Sequence, residues 1–156
     1  MKRRIGILTS GGDCPGLNAA IRGVGKALFN KLDNVEIYGF YDGYRGLIEC
    51  DYKFMESRDF SGIITEGGTI LGTSRQSYVP GKDIVDDEGN SVIPKMLATY
   101  NRLNLDCLVI MGGNGTQKSA KLLRKNKGSI CGAQIFGNDP ATMAEGARLA
   151  LEISGC

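Results

Sequence analysis

The sequence predicts an α/β protein with a mainly parallel sheet, covered by helices on both faces to give three layers. Three observations point there. Short apolar runs read as buried strands, and apolar residues at helical spacing fall between them. Glycine clusters follow the strands, and glycine is frequent throughout, at 23 of 156 residues against a usual frequency of about 7%. Parallel strands of this kind are buried on both sides, and ligands bind at their C-terminal edges.

The elements follow in order. Arg4 to Leu8 reads as the first strand, and "TSGG" breaks it. From Leu17, apolar residues recur at Ala20, Ile21, Val24 and Leu28, which is helical spacing. Val35 to Phe40 (VEIYGF) is the second strand, ending in "YDGYRGLI". "SGIITEGGTILGTSRQS" is rich in Gly, Thr and Ser, with turns at Gly67-Gly68 and Gly72. Residues 80–91 form an acidic, polar connection. Pro94 suits the first turn of a helix, with Met96, Leu97, Tyr100 and Leu103 on one face. Cys107 to Met111 (CLVIM) is the third strand, and "GGNGT" follows at once, with Thr116 able to cap a helix that starts near Gln117. Ala133 to Phe136 can form a further strand. Asp139 is then placed as an N-cap, with Pro140 at the first helical position and Met143, Ala147, Ala150 and Leu151 on an apolar face.

Composition narrows the function. The length suits one domain, and the apolar (42%) and charged (23%) shares are those of a soluble globular protein. A net charge of +2 argues for neither a nucleic-acid nor a membrane partner. No apolar run approaches the roughly 20 residues of a spanning helix, and the start, MKRRIGILTS, is too short in apolar residues for a signal peptide. The five cysteines (14, 50, 107, 131 and 156) form no CxxC pair, and reduced thiols in the cytoplasm are expected. With no histidine, Cys/His zinc sites and histidine bases are excluded.

The loops carry the chemistry. Glycine removes the side chain that would hold a phosphate away, and a strand-to-helix junction aims N–H groups and the positive helix end at an anion. The first loop reads GGxxxG, so it is neither a Walker A loop nor GxGxxG. Taken alone, it is as well explained by a turn, with Thr9, Ser10, Asp13 and Asn18 as capping residues. Arg75 can bind two phosphate oxygens at once, or be a solvated loop arginine. Tyr44 can lie against a base or pack over a loop. Asn114 could reach a metal only through its amide carbonyl, a weaker ligand than a carboxylate.

Four segments in order, "RRIGILTSGGDCPGLNAAIRG", "YGFYDGYRGLI", "GGTILGTSR" and "LVIMGGNGTQKSA", resemble the N-terminal half of the 6-phosphofructokinases. The resemblance runs from about Lys2 to Asn126. It implies a Rossmann-like half-domain, residues 1–126, that holds the phosphoryl donor of an ATP:fructose-6-phosphate phosphotransferase of glycolysis. Gly12, Arg75, Gly113, Asn114, Gly115 and Thr116 would contact the donor, with Tyr44 nearby. The family usually carries Asp where Asn114 stands, serving Mg2+, so this sequence departs there. Glycine at the next position goes with ATP and aspartate with pyrophosphate, so Gly115 favours ATP. In bacterial members Arg22 and Lys26 match positions of an effector-nucleotide site, against a solvated basic helix face. The resemblance also implies a sugar phosphate as second substrate and a homo-oligomer, with no nucleic acid or membrane as partner.

After Asn126 the pattern changes. The family's catalytic base opens a "TIDND" motif, which does not occur in this sequence. No catalytic residue is therefore assigned, and little activity is expected of the chain alone. Residues 133–156 resemble instead a segment of the tRNA-dihydrouridine synthases, FMN-dependent barrels in which Gln134 would touch the flavin. One βα unit cannot close an eight-stranded barrel, so no flavin is expected. Residues 127–156 then read as a foreign βα unit packed on the same sheet, in a chimeric or truncated chain.

Overall fold

The computed structural model describes residues 2–11, 16–74, 85–86, 88–126 and 130–133. A five-stranded sheet lies at its centre, in the order β3-β2-β1-β4-β5. Strand β1 (Arg3–Ser10) is central and buried from Ile5 onward. It extends past Arg4–Leu8 at both ends because it pairs on both sides. Arg3 to Ile7 lie in parallel register with Val35 to Gly39 of β2 (Val35–Phe40), and Ile5 to Ser10 with Cys107 to Gly112 of β4 (Cys107–Gly112).

Helix α1 (Leu17–Lys31) joins β1 to β2 and buries Leu17, Ala20, Ile21, Val24 and Leu28, the residues whose spacing predicts it. A methyl group at Gly25 would overlap the ring of Phe60, which is fully buried. Glycine there lets the helix lie directly on the 3₁₀ turn Ser57–Phe60. Helix α2 (Tyr44–Glu49) and strand β3 (Tyr52–Met55), antiparallel to β2, follow. Neither is predicted by the sequence reading. Helix α2 has six residues with a glycine inside, and β3 has four, too short for either periodicity to show.

Helix α3 (Ile93–Arg102) carries Pro94 in its first turn and buries Met96 and Tyr100, with Leu97 and Leu103 partly buried beside them. Helix α4 (Asn114–Asn126) begins three residues before Gln117, so Thr116 lies inside its first turn and is not its cap. Asn18 likewise lies within α1, whose N-cap is Gly16 without a side-chain bond. Strand β5 (Ile130–Ala133) pairs parallel with β4. It overlaps the expected Ala133–Phe136 strand at Ala133; Gln134 to Phe136 and the helix expected from Asp139 lie outside the described residues.

The core has two halves, one on each face of the sheet. On one face Ile5, Ile7, Ile37 and Val109 pack with α1 and Phe60. On the other, Leu8, Phe40, Leu108 and Ile110 pack with α2, α3 and α4. Alternate residues of each strand feed the two faces, and this builds the three-layer, Rossmann-like arrangement. No described helix is long and apolar enough to cross a membrane.

Candidate functional site

The sheet order fixes where a ligand can enter. From β1 the chain passes through α1 to β2 on one side, then returns through α3 to β4 on the other. The segments leaving the C-terminal ends of β1 and β4 therefore diverge and open a crevice at this reversal. The pair Ser10↔Gly112 ends the register, which brings Gly11 and Gly113 side by side. A methyl group on Gly11 would stand 3.7 Å from the Gly113 nitrogen.

Side-chain hydroxyls stitch the rim of this crevice. The Thr9 hydroxyl donates to the Gly72 carbonyl at 2.9 Å and lies 2.9 Å from the Thr69 hydroxyl. Thr73 donates to the Gly11 carbonyl at 2.7 Å, and Ser74 to the Asp42 carbonyl at 2.5 Å. A longer contact of 3.4 Å runs from the Ser10 hydroxyl to the Ser74 carbonyl. The segment Thr69–Ser74 is thereby strapped across the end of β1. On the far side Thr116 donates to the Ser10 carbonyl at 2.8 Å, and the Tyr44 hydroxyl donates to the Thr116 carbonyl at 2.8 Å. These bonds occupy carbonyls, the groups that would repel an anion. The opening N–H groups of α4 have no acceptor within the helix; its ladder begins with Gln117 N–H to the Gly113 carbonyl at 3.1 Å.

The glycines of the crevice fall into two kinds. Gly11 (φ 101°) and Gly43 (φ 65°) adopt backbone that L side chains rarely take, and a methyl group at Gly112 would overlap the Ser10 carbonyl. The fold needs these three. Gly113 and Gly115 are exposed, have ordinary backbone, and would place a methyl group in open space. The fold does not need glycine at either position. Together with Asn114 they form the N-terminal entry of α4, where anions are favoured.

The other expected site residues are placed as follows. Gly12, Arg75 and Gln134 lie outside the described residues, and of Asn114 only the backbone, as first residue of α4, is placed. Tyr44 is 1% exposed, so its ring packs beneath the loop and does not face a base. Burial pushes its phenol well above the usual tyrosine range. Thr116 is buried, with its hydroxyl engaged, so it can offer the crevice its backbone but not its side chain. Arg22 donates to the Phe60 carbonyl at 2.8 Å, and Lys26 to the Ser57 carbonyl at 3.1 Å. Both tie α1 to the 3₁₀ turn and are not simply a solvated face. Among the described residues no cluster of three His, Cys, Asp or Glu side chains could hold a metal ion. The strap residues Thr69, Thr73 and Ser74 were missed as site residues, although the stretch is visibly rich in Thr and Ser.

Comparison with known proteins gives a consistent result. The model of the family described as phosphofructokinase matches residues 4–144. An ATP-dependent 6-phosphofructokinase of Spirochaeta thermophila is 52% identical over 145 residues, covering 88% of this chain and 39% of that protein. One from Propionibacterium freudenreichii is 51% identical over 123 residues, covering 79% and 32%. The chain thus spans about two fifths or less of the length of these curated relatives. Among solved structures, the phosphofructokinase of Pichia pastoris in the T-state aligns with TM-score 0.69 at 28% identity, over 85% of this chain and 16% of that one. A pyrophosphate-dependent phosphofructokinase from Marinobacter aquaeolei shares the fold, with TM-score 0.67 at 16% identity, over 85% and 32%. The family match passes Asn126 and overlaps, over 133–144, the stretch that resembles dihydrouridine synthases.

Proposed function

Since the chain belongs to the phosphofructokinase family, we propose that it forms the donor-nucleotide part of an ATP-dependent 6-phosphofructokinase. In the whole enzyme the terminal phosphoryl group of ATP would pass to the 1-hydroxyl of fructose 6-phosphate. The observation that carries the reading is the pair Gly113 and Gly115: exposed, unstrained and free of neighbours at the opening turn of α4. Glycine at these positions destabilises a helix start and helps no packing, so its use is to let phosphate oxygens reach the backbone N–H groups.

Phosphoryl transfer depends on positioning and on neutralising charge, more than on covalent chemistry by the protein. Here the first turn of α4 supplies N–H donors and the positive end of its dipole, beside the backbone at Gly11. Gly12 and Arg75 complete the donor contacts in this reading, Arg75 by a two-pronged grip on phosphate. Mg2+ would supply further charge neutralisation, carried in on the phosphates and touched by the Asn114 amide carbonyl; the described residues offer no metal cluster of their own. Arg22 and Lys26 are held by backbone carbonyls, and an effector anion would have to compete with those bonds. No TIDND segment occurs in this sequence, so binding without appreciable turnover is expected of the 156-residue chain.

ATP is favoured over pyrophosphate because Gly115 leaves open space where a carboxylate would stand, and because relatives above 50% identity are named as ATP-dependent. Calorimetry on the 156-residue chain with MgATP and with magnesium pyrophosphate tests this. MgATP should bind the more tightly, and Gly115→Asp should weaken it. Tighter binding of pyrophosphate, or a folded chain that ignores both, contradicts the reading. A coupled assay should find negligible fructose 1,6-bisphosphate; turnover near that of full-length relatives would overturn the assignment of the base elsewhere.

A further inference from the structure

The first glycine loop leaves β1 at Gly11 and re-enters regular structure at Gly16, just before α1. Both of its ends are tied to one segment, Glu66–Ser74. At the near end the Thr73 hydroxyl donates to the Gly11 carbonyl at 2.7 Å. At the far end stands Asn18, fully buried in the first turn of α1. Its amide NH2 donates to the Glu66 carbonyl at 3.0 Å, and its amide oxygen accepts from the Ile70 N–H at 2.8 Å. One side chain thereby closes the turn that contains Gly67 and Gly68, and anchors the start of the strap to the helix.

A buried amide is costly to desolvate, and this one uses both ends on a loop's backbone and not on a neighbouring helix or strand. The Thr73 bond is equally specific. It fixes the direction of the Gly11 carbonyl, and because the peptide unit is planar and trans, the same bond fixes the orientation of the whole peptide unit that opens the loop. We propose that Asn18 and Thr73 are positioning residues for the donor site: they set the path of the first glycine loop by holding it at both ends to the Glu66–Ser74 strap. This rests on the donor-site reading above. The strap in turn ends one residue before Arg75, so the same two stitches define where that arginine departs.

The test uses the 156-residue chain and measures MgATP affinity by calorimetry, with circular dichroism confirming that each variant is folded at the working temperature. Wild type is the first arm. Thr73→Val is nearly isosteric but lacks the hydroxyl, and should weaken MgATP binding by about tenfold, since small misplacements of positioning groups have effects of that order or more. Thr73→Ser retains the hydroxyl and should restore wild-type affinity. Asn18→Ala should weaken binding similarly. The double variant Asn18→Ala with Thr73→Val should lose less than the product of the two, because both act on one loop.

If Thr73→Val binds MgATP as wild type does, or if Thr73→Ser binds as poorly as Thr73→Val, the positioning role is overturned while the donor site stands. If wild type itself binds no nucleotide, the donor-site reading fails and the proposal fails with it. Asn18→Ala offers an independent route if one variant is poorly folded. A variant that only lowers thermal stability, with unchanged affinity while folded, marks a purely structural residue.

Discussion

A methyl group at Gly112 would overlap the Ser10 carbonyl and come within 2.7 Å of the Thr116 hydroxyl, whereas at Gly115 it would meet nothing within 4 Å. The two glycines of one short loop therefore answer to different demands. Gly112→Ala should destabilise the fold by roughly 3 kcal/mol, toward the upper end for overpacking because the obstacle is backbone, as urea unfolding would show. Gly115→Ala should stabilise it by about 0.5 kcal/mol, by removing a flexible residue from a helix, while weakening nucleotide binding. Tyr44→Phe removes the hydroxyl that donates to the Thr116 carbonyl and should cost about 1 kcal/mol. In wild type that phenol should stay protonated when the exposed tyrosines ionise at alkaline pH, because burial opposes its charge; spectrophotometric titration of wild type against Tyr44→Phe checks this.

At the opposite end of the sheet, β1 and β2 are joined by a charged cluster with its own consequence. Glu36 pairs with Lys2 at 2.5 Å and Arg4 at 3.0 Å, and accepts from the Tyr38 hydroxyl at 3.1 Å. The hydrogen bonds from Lys2 and Arg4 lower its carboxyl from 4.5 to about 2. A carboxyl depressed on folding adds stability that is present above its unfolded value and lost as pH falls through its folded one. The chain should therefore lose stability between pH 4.5 and about 2, and Glu36→Gln should flatten that part of a stability-against-pH curve. Elements with clear periodicity were legible in the sequence: β2 at the bounds VEIYGF, α1 from its buried stripe, and α3 from Pro94 and Met96. The four-residue β3 and six-residue α2 were not, since neither completes two periods. Nor were the caps. Thr116 and Asn18 are types that favour caps, but long-range partners, the Ser10 carbonyl and the Glu66–Ile70 turn, claim their side chains.

Across the whole molecule, the location of the site followed from topology before any residue was weighed: glycine loops after alternating strands had to meet at the reversal of sheet order. What the sequence could not display was the partnership between segments over sixty residues apart, such as Thr73 with Gly11 or Thr116 with Ser10. Those contacts turn separate loops into one rim. The central claim is that the opening of α4 is kept free for phosphate, and Gly113 tests it most directly. Gly113→Leu places a side chain where the fold has open space, so stability and folding can be held constant while the crevice is filled. Calorimetric titration of MgATP into wild type and Gly113→Leu, both folded by circular dichroism, should show binding to the first and loss of at least about tenfold in affinity in the second. Equal affinity in the two proteins would contradict the account.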